Sequence, residues 1–500
     1  MKDTRTVIVI GSGPSGAIAA HELVRRGIRV VMLESGIRAP GGALIRVMGR
    51  TLFRRLHDAG LSNGDLHVST GHPQTQWWYN FSPGGLSNQW TGAVPRFSED
   101  DFTEGERLGE RYRWPISYTD LAPFYEQVER LLIVTSDPRD VPNLPACKPE
   151  YCNELPTDWQ HVARFAARRG QGLTVLPLAN GRRTMVVGRG TAFNSYINLV
   201  LPIVQSPLFR IITGAHALKL EYSGSSKTVN SVVYFDRNTE TEQRLEASAV
   251  IVACGPLNST KLLFDSSCKE FPSGLGNCSG VLGQYLHDHP RDWWTFEVDK
   301  PLSRPSPPAY LTRIPCQAAA PLLAASWTIG LLPQATEKLM SFVHMKGHSF
   351  GVQVLGTMVP SERYYVQPDA NRKDEFGLPM LDLCIHYDDD VVLNMTSARE
   401  HLLSILEDAG YRGTLRALPT QIVPGDSAHY GGTVRMHSSP EFGMLDAWNR
   451  MHEVPNVLVV DASCFTTGPE KNPTLTHMAI AMRAAERLSH DLRHGGPGED

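Results

Sequence analysis

Residues 5–36, RTVIVIGSGPSGAIAAHELVRRGIRVVMLESG, constrain the fold more than any other stretch of the 500-residue chain. Val7–Ile10 is β-branched throughout, which suits a strand buried on both faces of a parallel sheet. The run stops at Gly11, Gly13 and Gly16; an apolar-patterned helix follows, and a second apolar run ends at Glu34. Each glycine has its own task in such a unit. Gly11 permits the tight turn, Gly13 lets the backbone approach a pyrophosphate, and Gly16 lets the helix close on the strand. The helix N-terminus presents unpaired N–H groups and partial positive charge to the phosphates. Glu34 falls at the interval where a carboxylate accepts hydrogen bonds from ribose hydroxyls. This order of elements predicts a dinucleotide site. It does not separate NAD from FAD.

The length accommodates two large domains. With a formal net charge of −4 and 20% charged residues, the chain makes no electrostatic case for nucleic acid or an anionic membrane surface. No apolar run approaches a membrane span. The nucleotide strand starts within the first ten residues and Arg25-Arg26 lies inside the first helix, so no export signal is expected and the cytoplasm is the expected compartment. The eight cysteines are scattered, and only Cys147 and Cys152 are close, with no second pair to complete a zinc site. They are expected to be mostly buried thiols; a Cys147–Cys152 disulfide is the alternative.

Along the chain, an amphipathic helix is expected after an N-cap at Thr119 or Asp120, and another over 191–204, broken near Pro202. Residues 209–254 read as strands with polar turns, a β-meander before a return to the nucleotide sheet. Residues 300–335, rich in proline and alanine, read as an irregular loop. HLLSILEDAG (401–410) reads as a helix, 456–463 as a final buried strand, 475–492 as a helix and 493–500 as a frayed tail. The nucleotide fold is thus expected over 1–99, 205–290 and 425–492, with a substrate domain over 100–204 and 291–424. The fold class is α/β: a Rossmann-like domain with an inserted β-sheet substrate domain.

Five segments in order resemble the glucose-methanol-choline (GMC) flavoprotein oxidoreductases: VIVIGSGPSGAIAA, GGLSNQWTGAVPRF (84–97), VIVACGPLNSTKLLFDSS (250–267), HYGGTVRMH (429–437) and the block from Asn456 to Leu488. WPISYTDLAPFY (114–125) is similar to the helix that follows the glycine-rich loop in many members. The resemblance implies FAD over NAD. Its closest motifs are those of pyranose oxidase and bacterial glycoside 3-oxidases. Fungal pyranose oxidases carry a flavin-linked histidine where this chain has Gln89, so the resemblance implies dissociable FAD.

Oxidising an alcohol at a flavin needs a base on the hydroxyl while hydride leaves the carbinol carbon. Histidine suits the role because its pKa lies near working pH. The resemblance places that base at His429 and its partner at Asn472, which would hydrogen-bond the same substrate oxygen. Two glycines after His429 are expected to let the backbone pass close to the flavin. The cofactor-binding set it implies comprises Gly11, Gly13, Ser15, Gly16 and Glu34, then Asn88, Trp90 and Thr91 in the loop. Ala215, Asp461, Asn472 and Thr474 complete the set. His437 is expected to be structural. HDHP (287–290) looks metal-like but lacks a partner cluster and is expected to be a turn. Asp388–Asp390 is expected to be a solvated loop, and Trp77-Trp78 either stacks on a sugar or packs in the core.

The reading that results is oxidation of a secondary hydroxyl, C2 or C3, of a pyranose or glycoside. Electrons would pass to O2 or a quinone-like acceptor. Another alcohol or polyol, and a non-redox FAD-binding lyase, are the rivals.

Overall fold

The structure is a computed structural model that describes residues 5–37, 67–69, 77–88, 90–180, 193–298, 308–315, 324–329, 349–417 and 422–495. β1 (Thr6–Ile10), α1 (Pro14–Arg25) and β2 (Arg29–Glu34) form the unit anticipated from the glycine pattern. β1 is the centre of a five-stranded parallel sheet in the order Val457–Val459, Ala249–Val252, β1, β2, Phe209–Thr213. Val7, Ile8 and Val9 have no exposed surface, as a strand covered on both faces requires. α1 and the C-terminal helix Thr474–His494 pack against each other beside this sheet. Three strands, Ala215–Ser223, Thr228–Asp236 and Thr241–Glu246, make an antiparallel meander between two of the parallel strands. The fold is α/β with a Rossmann-like nucleotide-binding sheet.

A separate six-stranded sheet runs in the order Gly413–Ala417, Arg291–Val298, Ser349–Gly356, Ala324–Ile329, Ala309–Pro315, Leu173–Val175. The helices Thr157–Arg168 and Asp389–Asp408 bury Trp159, Val162, Met395, Leu402 and Ile405 in one core with Phe296, Leu311, Val352 and Val354 of this sheet.

Several expectations are corrected here. Within 300–335, Ala309–Pro315 and Ala324–Ile329 are paired strands, not irregular loop. Their partners include Leu173–Val175, more than a hundred residues away, so non-local pairing overrides a proline- and alanine-rich composition. The helix expected from Thr119 or Asp120 begins at Tyr118. Its N-cap is Ser117, in a capping box with Asp120 that satisfies two orphan groups at once. Residues 196–203 form a π-helical turn running into a 3₁₀ turn at Leu201–Ile203. Asp388–Asp390 is not a loop: Asp388 is the N-cap residue of the helix Asp389–Asp408, and two carboxylates in the first turn suit the helix dipole. The C-terminal helix runs to His494, and Gly495 at φ +96° ends it. The seven described cysteines are all unpaired thiols. Only Cys147 and Cys464 are buried, while Cys152 and Cys278 are exposed, so neither the disulfide nor mostly buried thiols is found.

Candidate active site

The carboxyl end of β1 opens into the glycine turn. Gly11 has φ +101°, and a Cβ there would stand 2.4 Å from the Ala253 carbonyl oxygen. A Cβ on Gly16 would stand 2.1 Å from the Gly11 carbonyl oxygen. Both positions are therefore closed to any side chain by the chain itself. Gly13 differs. It caps α1 ahead of Pro14, and a Cβ on it would meet nothing within 4 Å. Gly255, just after the neighbouring parallel strand, is equally open. Both lie at the carboxyl ends of two adjacent parallel strands, where a pyrophosphate has room to approach the main chain at Gly13; the Gly255 N–H is held by Asp461. The glycine-rich loop lies over them: Gly84 N–H donates to Ser12 Oγ at 2.9 Å, and a Cβ on Gly85 would come 3.3 Å from Gly13 Cα.

Glu34 ends β2 and is buried. Its Oε2 accepts from Ser12 N–H (3.0 Å) and Ser12 Oγ (2.5 Å), and its Oε1 accepts from Gly36 N–H (2.8 Å). Burial pushes its carboxyl above the usual range, against those three bonds. A carboxylate offers about four lone-pair sites, so one is left for a ribose hydroxyl. Ser15 Oγ pairs with His477 Nδ1 at 2.7 Å, tying α1 to the C-terminal helix. Asn88 accepts from Asn194 Nδ2 at 2.6 Å and donates to the Pro83 carbonyl. Trp90 donates its indole N–H to the Phe193 carbonyl at 2.7 Å, and Thr91 is exposed. Gln89 lies outside the described residues. Ala215 is buried where the meander begins, and Thr474 opens the C-terminal helix. Asp461 accepts from Gly255 N–H and Ser259 Oγ on one oxygen, and from Ser463 N–H and Oγ on the other. Its four lone-pair sites are filled by its own chain, which braces the turn carrying Gly255.

His429 and Asn472, forty-three residues apart, meet: Asn472 Nδ2 lies 3.2 Å from His429 Nε2. Asn472 is set by its neighbours. Lys471, fully buried, is ion-paired to Asp101, the Glu470 carbonyl accepts from Ser326 Oγ of the six-stranded sheet at 2.9 Å, and Pro473 caps the helix that follows. His429 is set by Asp288. The buried Asp288 carboxylate accepts from the main-chain N–H groups of Gly425 (2.7 Å) and His429 (3.3 Å), and from the hydroxyls of Ser427 and Tyr387. Ala428, just before the histidine, sits at φ +59°, a conformation a non-glycine residue adopts only when its surroundings impose it.

The sequence reading missed this role for HDHP. The segment is not a turn; His287 pairs with Gly431 in an antiparallel bridge, and all three side chains are buried. Extended backbone sends His287 and His289 to one side and Asp288 to the other. That alternation was visible in the sequence, but its target was not. His289 Nδ1 lies 3.1 Å from His429 Nδ1. Among the described residues, no His/Cys/Asp/Glu group is arranged to hold a metal ion. The glycines after His429 are also required by the fold itself. A Cβ on Gly431 would stand 2.9 Å from His287 Nε2, and one on Gly432 2.6 Å from His287 Nδ1, so they admit the HDHP segment.

Desolvation holds His429 well below its ordinary pKa, and His289, Arg291 and His477 push the same way. His287, His289 and His477 are lowered to about 3, chiefly by burial. The site is a cluster of neutral imidazoles. His437, fully buried, accepts from Ser439 N–H on Nδ1 and bonds the Glu110 carbonyl through Nε2, a structural tie. Trp77 packs edge-on against Tyr430 at 4.9 Å, while Trp78 is 37% exposed.

The N- and C-terminal GMC oxidoreductase family profiles match residues 108–291 and 361–481, and an FAD binding domain profile matches residues 4–42. The chain belongs to the GMC oxidoreductases. It is an FAD-dependent oxidoreductase acting on CH–OH groups, and the open positions at Gly13 and Gly255 fit that cofactor. Among relatives, it is 28% identical to paromamine 6'-oxidase of Streptomyces fradiae, over 97% of this chain and 91% of that one. It is 21% identical to pyranose 2-oxidase of Tricholoma matsutake, over 81% of this chain and 72% of that one. The fold is shared with a formate oxidase from Aspergillus oryzae, with a TM-score of 0.67 at 15% identity, covering 97% of this chain and 98% of that one. No helix among the described residues is long and apolar enough to cross a membrane.

Proposed function

We propose that this oxidoreductase converts a hydroxyl of a pyranose sugar or glycoside to the carbonyl, with His429 as base and Asn472 as its partner. The observation that carries the reading is the 3.2 Å approach of Asn472 Nδ2 to His429 Nε2. One hydroxyl oxygen placed at that pair donates its proton to Nε2 and accepts the amide N–H. FAD, when bound, supplies the acceptor for the hydride from the carbinol carbon. The chain's own residues do the rest. Asn472 orients the C–O bond, and its N–H opposes the negative charge that grows on oxygen as the proton leaves. His429 takes the proton, and it is available to do so because burial keeps the ring neutral. Asp288 holds the main chain behind the ring, so the base does not retreat.

The ring position has two readings. The loop 84–97 resembles that of pyranose oxidase and supports a secondary hydroxyl, C2 or C3. A relative matching nearly the full length is named for the 6'-position, which supports an exocyclic primary hydroxyl as the second reading. FAD is held without a covalent link, because Gln89 offers an amide where a linking histidine would stand. The reduced cofactor passes its electrons to O2 or a quinone-like acceptor.

The test is anaerobic mixing with monosaccharides, plant glycosides and aminoglycosides while the visible flavin absorbance is followed. Product NMR then assigns the oxidised carbon. Bleaching by a sugar or glycoside is expected. Bleaching only by simple alcohols or polyols overturns the substrate class, and no bleaching by any alcohol overturns the redox reading. Release of FAD on mild denaturation checks the non-covalent attachment.

A further inference from the structure

We infer that His289 is a positioning residue that fixes the tautomer of His429, leaving the Nε2 lone pair of His429 bare for the substrate proton. The inference rests on His429 being the base proposed above, and it goes beyond that assignment.

The direction of the hydrogen-bond chain is set at its Asn472 end. The group facing His429 Nε2 is the Asn472 amide nitrogen at 3.2 Å, which only donates, so Nε2 is an acceptor. A neutral ring with a bare Nε2 carries its proton on Nδ1. That Nδ1 faces His289 Nδ1 at 3.1 Å, with the two rings edge-on at 72°. His289 Nδ1 is then the acceptor, and the neutral His289 ring carries its own proton on Nε2. Reversed, a protonated His429 Nε2 would meet the Asn472 amide N–H, donor against donor.

The surroundings keep both rings neutral, which the argument needs. The groups facing His429 are His289, Arg291, His477, Asn472 and, through the main chain, Asp288. Arg291, paired with Asp426, adds positive charge and disfavours a second proton on His429 before substrate arrives. In isolated neutral histidine the proton prefers Nε2, so His429 holds the less common form only while an acceptor stands at Nδ1. In the reaction the hydroxyl O–H bond breaks and its proton forms the new N–H bond at His429 Nε2. With FAD bound as the hydride acceptor, the C–O single bond would become a carbonyl, and the Nδ1 proton stays on His429, donated to His289 Nδ1. No proton passes through His289.

The test uses ¹⁵N-histidine-labelled protein with FAD bound, with assignments taken from the difference spectrum of His429→Asn. Wild-type His429 is expected to show a protonated Nδ1 and a bare Nε2. His289→Leu removes the acceptor; its His429 resonances are expected to move toward the other tautomer, and flavin reduction to slow by about 10²-fold. His289→Gln keeps an acceptor oxygen and is expected to restore the rate to within about tenfold of wild type. A wild-type His429 protonated on Nε2 overturns the inference. So do Leu and Gln variants equally slow with an unaltered His429 tautomer. If His289→Leu does not fold, the wild-type spectrum still decides. Normal flavin reduction in His429→Ala would sink the base assignment instead, whichever tautomer is seen.

Discussion

The nucleotide cradle and the imidazole cluster are built by opposite means. The cradle comes largely from one stretch of thirty residues, joined by Gly255 and the Gly84–Gly85 loop, and it works by leaving side chains out. Gly11 and Gly16 are closed to a Cβ by neighbouring backbone, while Gly13 is open for a ligand. The imidazole cluster draws on three distant segments, 287–291, 425–432 and 468–477, and works by filling space with polar rings that hold one another neutral. A cradle made of missing side chains leaves its mark in any sequence that encodes it. A cluster made by convergence leaves only scattered histidines, whose meaning depends on which of them meet.

The comparison can be broken first at the glycines, where the largest effects lie. Gly16→Val forces a Cβ into the Gly11 carbonyl and is expected to abolish folded protein. Gly13→Leu has room in the chain, so it is expected to fold with near-native circular dichroism yet purify without FAD absorbance. Equal behaviour of the two variants would deny the division of labour among the glycines. In the cluster, His429→Ala is expected to retain FAD while flavin reduction slows by about 10²–10⁴-fold in stopped-flow mixing. Unchanged reduction kinetics would remove His429 from the chemistry.

The smallest effect is on stability against pH. His287, His289 and His477 fall from 6.5 to about 3 on folding, and His429 falls well below 6.5. Between those values the unfolded chain binds protons that the native state refuses. Stability is therefore full above pH 6.5 and declines as pH drops below it, by up to ~1.4 kcal/mol per pH unit per histidine. The raised carboxyls of Glu34, Asp288 and Asp461 act the other way at lower pH, because they bind protons more readily when folded. Denaturant midpoints are expected to fall on acidification through the first unit below pH 6.5. A flat profile there would show that the rings are not held neutral.

What the sequence alone determined was whatever depends on contiguous spacing. The β-branched run, three glycines and an acid specify the βαβ unit, because strand burial, turn geometry and helix approach are decided by residues a few positions apart. Motif order brought His429 and Asn472 forward, but only as positions matching a family pattern. The tertiary structure decided the rest. HDHP reads locally as a turn, and no spacing within it says that Asp288 clamps the main chain of residues 425–429 or that His289 meets His429. Ala309–Pro315 reads as loop until Leu173–Val175 pairs with it. Contacts across a hundred residues or more carry no periodic signal; they exist because folding desolvates groups together, and the partner each buried nitrogen finds then fixes its proton.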